Sequence, residues 1–323
     1  MNRRVMAIIG TAAAVAALAS WTPARTAAQG TGGSGFQGEP PAKPYQAKSG
    51  CPEDVGPRFD SCAREKMKTF KPPLTEDGKP DLRGYWARTF QSLTLEERGP
   101  NMPEHRKSNT VRDRAIIDPP TGPLPYQPWA AKQREENFQK YVDPLAMLYL
   151  PGGQRFPYIS SGGYLFLQPR GKEEVVMLLE EIHMYRVIPT DGRPHIPASI
   201  KLYEGDPLGT WEGNTLVVDI TNLNGETWFV QAGDFLSDAA HVTERWTLID
   251  KDVIHVQSTI DDPKVFTQPW KFAVAMVRIQ RVFPEFTELY EESSFEGDRD
   301  LPTMFKSHTR YPGFTGLPAA KGR

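Results

Sequence analysis

Period-two alternation of apolar and polar positions dominates the second half of the chain. Thr215 to Ile220 sets Leu216, Val218 and Ile220 on one face and Thr215, Val217 and Asp219 on the other. Glu212-Gly213-Asn214 before it reads as a tight turn, because Gly and Asn tolerate positive φ. Gly209 to Glu212 therefore reads as the preceding strand of a hairpin. His241 to Ile249 alternates in the same way, with Val242, Glu244, Trp246 and Leu248 on one face and His241, Thr243, Arg245 and Thr247 on the other. Further runs of Val, Ile, Leu and aromatics cover Tyr164 to Gln168, Glu174 to Leu179, His183 to Ile188, Val253 to Ile260, Trp270 to Arg278 and Thr287 to Ser293. About nine short strands with turns at close spacing predict a mainly β protein, an antiparallel β-barrel or sandwich.

Helical signals are few. Ala63 to Phe70 predicts a short helix ended before Pro72-Pro73. Trp129 to Val142 predicts the best helix, with Pro128 before it, Asp143-Pro144 after it and charged residues along its solvent side. Residues 89–145 around it form a long Pro-rich surface excursion, a length usual for functional or disordered loops.

The N-terminus changes the picture. Arg3-Arg4, an uncharged run from Val5 to Leu18 and the small residues Thr26-Ala27-Ala28 predict a signal peptide over 1–28, cleaved before Gln29. The run falls short of the roughly 20 apolar residues of a membrane span, so no stable membrane insertion is expected after cleavage. Residues 29–74 read as a Gly- and Pro-rich linker and a disulfide loop, 75–295 as the barrel domain, and 296–323 as a loose tail. Cys51 and Cys62 are the two cysteines, and in an oxidising compartment they are expected to pair. The chain is thus expected to be periplasmic or secreted. Its 323 residues carry a formal charge of −2, or −5 without the signal peptide, which gives no electrostatic case for nucleic acid.

Several stretches together resemble a family of exported bacterial proteins of unassigned role. The shared motifs are Gly78 to Trp86 (GKPDL-x-G-x-W), Pro128-Trp129, Asp143-Pro144, Tyr185 to His195 (ending PTDGRPH), Gly209 to Asp219 (G-x-WEG-x-TLVVD), Ser237 to Arg245 (SDA-x-HV-x-ER) and Thr259 to Trp270 (TIDDPK-x-F-T-x-PW). The resemblance spans most of the chain from Gly78 to Trp270 and brings no established activity with it. The Gly-x-Trp opening followed by successive antiparallel strands also resembles lipocalin-type barrels, at the level of general pattern.

Candidate chemistry centres on Glu244, a carboxylate on the apolar face of its strand. Such a group costs several kcal/mol unless it is paired or protonated. It either forms a buried ion pair with an arginine such as Arg186 or Arg193, or acts as an acid/base of raised pKa. His183 and His195 are the candidate complementary groups, since each lies near a strand end. His183 shares a strand face with Tyr185. Asp191, Arg193 and His195 sit in one turn cluster, well placed to meet a ligand at a barrel mouth. Tyr185, Asp191, Arg193, His241, Arg245, Trp246 and Asp261 complete a candidate binding set. There is no nucleophile elbow, phosphate loop, dinucleotide fingerprint or His-Glu-x-x-His motif, so no cofactor and no metal are expected.

Two readings follow. One is an exported barrel enzyme doing acid/base chemistry (elimination, isomerisation or hydrolysis) on a small organic substrate. The other is a non-catalytic, lipocalin-like binder of a small molecule. Convergence of Glu244 and the histidines on one cavity favours the first, and scattered, individually satisfied groups favour the second. The sequence does not set the oligomeric state.

Overall fold

The computed structural model describes residues 49–52, 56–88, 115–120, 123–140, 151, 153–155, 163–180, 184–230, 233–281 and 288–289. The signal peptide, nearly all of the linker, His183, most of the segment 287–293 and the C-terminal tail lie outside them, as does much of the excursion.

The strands are β1 (Gly84–Arg88), β2 (Ile116–Asp118), β3 (Tyr164–Leu167), β4 (Glu174–Leu179), β5 (Tyr185–Pro189), β6 (Asp206–Glu212), β7 (Thr215–Thr221), β8 (His241–Asp250), β9 (Val253–Asp261) and β10 (Trp270–Arg278). They form one antiparallel sheet in the order β5-β4-β3-β1-β10-β9-β8-β7-β6, with β2 pairing β10 beside β1. The sheet curls into a nearly closed barrel. Its two edges, β5 and β6, meet through side chains without ladder hydrogen bonds. Gly209 makes that approach possible, because a Cβ there would stand 2.9 Å from Ile188 Cγ2 and 2.8 Å from Thr190 Cγ2. Both edge strands carry a proline, Pro189 and Pro207, which has no N–H to offer a ladder.

Alternation decides what faces inward. Leu216, Val218 and Ile220 of β7, and Val242, Glu244, Trp246 and Leu248 of β8, are all buried in the interior. They meet Trp86, Tyr164, Phe166, Met177, Ile188, Val256, Phe272 and Met276 in one continuous core. Phe166 stands edge-on to both Trp86 and Trp246, with ring centroids 6.4 and 5.5 Å apart. The barrel is therefore filled by side chains over most of its length. At one end Phe229, Phe266, Trp270 and Phe272 form an aromatic plug.

The two α-helices among the described residues lie outside the sheet. The first, α1 (Gly56–Met67), buries Phe59, Asp60 and Ala63 against Ile249, Val253, Ala275 and Val277 on the outer face of β8–β10. It begins earlier than the predicted Ala63 to Phe70. Pro57 in its first turn suits a helix start, and the Asp60–Arg64 pair (2.7 Å) supports it four residues on. Gly56 touches the backbone of Ala115, where any Cβ would stand 2.5 Å from the carbonyl oxygen. Cys51 and Cys62 form a disulfide, Cα to Cα 5.7 Å, that ties the chain before α1 onto the helix. The second helix, α2 (Pro128–Lys140), matches the predicted one within two residues at each end. Its start packs at the plug end, where Trp129 stacks on Phe235 and Gln127 N–H donates to the Val265 carbonyl. Within the predicted excursion lies β2, three residues too short to announce themselves by alternation.

Candidate functional site

The interior holds a polar cluster amid the apolar core. Arg186 on β5 reaches across the barrel to Glu244 on β8. Its Nη1 donates to both carboxylate oxygens at 3.0 Å, and neither side chain has any exposure. Trp246 Nε1–H donates to the same carboxylate at 2.9 Å. Ser258 lies directly opposite Glu244 on β9, and its buried hydroxyl has no hydrogen-bond partner among the described residues. Glu244 is thus the ion-paired residue of the barrel interior, with Arg186 as its partner. Arg193 instead pairs with Asp191 at 2.6 Å in an exposed turn.

Arg186 also contacts a second carboxylate. Its Nη2 lies 3.4 Å from Glu204 Oε2, and Glu204 keeps 17% side-chain exposure. Gly153 N–H donates to Glu204 Oε1 at 2.8 Å, and Gln154 Nε2 donates to the Glu204 carbonyl at 3.2 Å. The 3-10 turn Gly153–Arg155 that supplies these donors is buried throughout. Gly153 takes φ 57°, and a Cβ there would stand 2.6 Å from Thr227 Oγ1. Burial is the largest influence on Glu204 and pushes its carboxyl up to about 7, and Arg186 and the Gly153 N–H recover only part of the cost. Two carboxylates share one guanidinium here, and Glu204 has the longer contact.

A small cleft opens beside this cluster, lined by Gln154, Tyr203, Thr227, Trp228, Phe229 and Leu236 among others. As it stands it has room for about one water molecule. Gln154 Oε1 is buried and has no partner among the described residues. The cleft wall at Tyr203 belongs to the segment 190–205 that links β5 to β6.

The other predicted site residues lie elsewhere. His195 and His241 sit on the outer face of β6–β8, not at the interior cluster. His195 Nδ1 meets Asp206 at 2.7 Å and its Nε2 meets Asp219 at 2.9 Å. His241 Nε2 bonds the other oxygen of Asp219. Arg245 pairs with Glu212 on the same outer face at 2.8 Å. Tyr185 points outward and is 66% exposed. Asp261 is exposed at the end of β9. Its neighbour Asp262 is the buried residue of the pair, accepting from Ser237 N and Oγ and from the backbone N–H groups of Lys264 and Val265. Trp246 is interior, next to Glu244. Of the described candidates, only Glu244 and Trp246 come together in the barrel. The sequence reading passed over Glu204, Gln154, Asp206 and Asp219 as site residues. Asp219 was visible as an outward-facing carboxylate, whereas Glu204 and Gln154 lie in loops where no periodicity marks them.

Another His–Asp pair lies under α1. His255 Nε2 meets Asp60 Oδ1 at 2.8 Å, and Arg64 joins Asp60 to Gln257. Burial pushes the Asp60 carboxyl up, and its bonds to His255 and Arg64 outweigh this and hold it below the ordinary carboxylate range. The pair joins α1 to β9 and serves to dock the helix. Among the described residues no group of three or more His, Cys, Asp or Glu is placed to hold a metal, and no helix is long and apolar enough to cross a membrane.

Neither a protein-family model, nor a curated protein, nor a solved structure matches the chain. The β-barrel itself is of a kind suited to holding a small molecule, and the reading of the site rests on its geometry.

Proposed function

We propose that the protein binds a small organic molecule at the cleft beside Gln154, Tyr203 and Trp228, and that it does not convert its guest. The observation that carries this reading is the dispersal of the titratable groups. Glu244 is fully engaged inside the barrel by Arg186 and Trp246 Nε1, and His195 and His241 are engaged by carboxylates on the outer wall. No described acid/base pair converges on one opening. The cleft combines an aromatic wall with the unfilled acceptor Gln154 Oε1, which suits a guest with an apolar body and one hydrogen-bond donor. The acid/base reading retains one residue, Glu204, whose carboxyl exchanges its proton near neutrality beside the cleft.

The test is a metabolite capture from periplasmic extract on immobilised wild type, Trp228→Ala and Glu204→Gln. The wild type should enrich a compound that Trp228→Ala does not, and should return it chemically unchanged. Equal enrichment by Trp228→Ala removes the cleft as the site. Conversion of the compound by wild type but not by Glu204→Gln replaces the binder with an enzyme.

We also propose that the protein works in the periplasm or outside the cell. The Cys51–Cys62 bridge, stable in an oxidising compartment, supports this, as does the resemblance to exported proteins. Intact-mass analysis of the mature protein should show a chain beginning near Gln29, and a mass that still includes Met1 refutes export by cleavage.

A further inference from the structure

Two of the fastenings that hold the segment 190–205 to the barrel wall differ in chemistry. One does not titrate. Asn222, at φ 60°, directs its Nδ2 to the carbonyls of Ile196, Pro197 and Ile200, and its own carbonyl accepts from Leu202 N–H. The other is His195. Its ring lies between two carboxylates on different strands, Asp206 of β6 and Asp219 of β7, with one ring nitrogen on each. Asp206 also accepts from Ile196 N–H at 2.9 Å, so one oxygen holds both the ring and the backbone that follows it.

We propose that His195 is a pH-sensitive latch, which as a doubly protonated ring ties the turn 190–196 to both β6 and β7 and on losing a proton lets go of one of the two. The proposal does not depend on the cleft being the binding site.

Donors and acceptors decide the charge of the ring. Both partners of His195 are carboxylates, which accept only, so two bonds require two N–H groups and hence the imidazolium. A neutral ring has one N–H. It keeps one carboxylate and turns a lone pair toward the other, so one strand is released and that contact becomes repulsive. The surroundings support the charged ring. Burial opposes it, and the bonds and charges of Asp219 and Asp206 together outweigh burial and raise the His195 pKa above the ordinary histidine value. Asp219 is held in turn below its ordinary range: burial raises it, and His195 and His241 more than reverse this. The other charges near the ring are Arg193 and Asp191, paired in its own turn; Glu174 of β4, whose charge acts on Arg193; and His241 of β8, on the far oxygen of Asp219. Arg193 also acts on Asp206 and does not change charge across the working range.

The sign follows. A raised histidine pKa gives a latch that is fully closed below about pH 6.5, the unfolded value, and is lost as pH rises through the folded value. A lowered aspartate pKa gives a latch that persists in mild acid and fails only when pH falls through the folded value of Asp219. The closed window runs from mild acid up to a folded value above the ordinary histidine one, and pH above that value opens the latch. Tyr203 and Glu204 stay in place, since the Asn222 bonds hold the chain between them and the latch and do not titrate.

The test needs no ligand and uses the mature protein. Amide protection factors for residues 190–196 are measured by hydrogen exchange at about pH 5.5 and about pH 8.5, which bracket the histidine range, in wild type and His195→Gln. Wild type should lose protection several-fold at the higher pH, and His195→Gln should show low protection at both, while β8 and β9 stay unchanged. Equal wild-type protection at the two values, or the same pH-dependent loss in His195→Gln, overturns the proposal. Nitrogen-resolved NMR of the wild-type ring keeps the question decidable if the variant does not fold. Both ring nitrogens should remain protonated above about pH 6.5, and a ring already neutral there overturns the latch. Failure of metabolite capture alone, with the exchange result as expected, removes the binding site and leaves the latch.

Discussion

At the scale of single residues the decisive pair is Glu244 and Arg186. Glu244 was legible in the sequence, because period two placed a carboxylate with Val242, Trp246 and Leu248 and such a group demands a partner. Its partner was narrowed only to an arginine such as Arg186 or Arg193, and the structure decides for Arg186. Removing one member of a fully buried pair leaves the other charge without compensation, at a cost of about 3–5 kcal/mol. Glu244→Gln is therefore expected to lower stability by roughly 3 kcal/mol or more, read as a shift of the urea midpoint at unchanged m-value. A midpoint like the wild type's would show that Arg186 finds Glu204 sufficient. The histidines illustrate the opposite case. Their chemistry was visible but their placement was not, since His195, Asp206, Asp219 and His241 meet only through the pairing of β6, β7 and β8. Alternation alone says which face of a strand a residue occupies and nothing about its neighbours across strands.

At the scale of elements, legibility follows how many faces an element buries. Strands β7 and β8 show clean alternation over most of their length because one face meets the core and the other meets solvent. Strands β9 and β10 are buried on both faces along most of their length, since α1 covers their outer side; β10 reads as a continuous apolar run from Phe272 to Val277, whereas β9 keeps the polar His255, Gln257 and Ser258 at buried positions. That covering helix is what the sequence located least well, its start hidden by Gly56, Pro57 and a charged surface. Its attachment depends on Phe59, on the Asp60–His255 contact and on the disulfide. A bridge closing so short a loop is worth on the order of 3 kcal/mol in the chain-entropy account. The double variant Cys51→Ala/Cys62→Ala should lose about that much and should expose the outer face of β9 and β10 to hydrogen exchange. If the melting temperature is unchanged, Phe59 and Asp60 suffice to hold the helix.

At the scale of the whole molecule the number and spacing of strands left a barrel or a sandwich open; the structure is the barrel, and its sheet order carries a further consequence. Strands β3, β4 and β5 form one meander of chain neighbours, and β6 to β10 form another. A single five-residue strand, β1, joins them, pairing Trp86 with Tyr164 on one side and with Arg278 on the other. Nearly all ladder contacts are therefore local in the chain, and the long-range ones are concentrated in β1 and the three residues of β2. Loop-closure entropy falls mainly on those few residues. In topological terms the molecule is two short ribbons, each able to zip from its own turns, and Gly84–Arg88 is the one strand that makes them a single sheet.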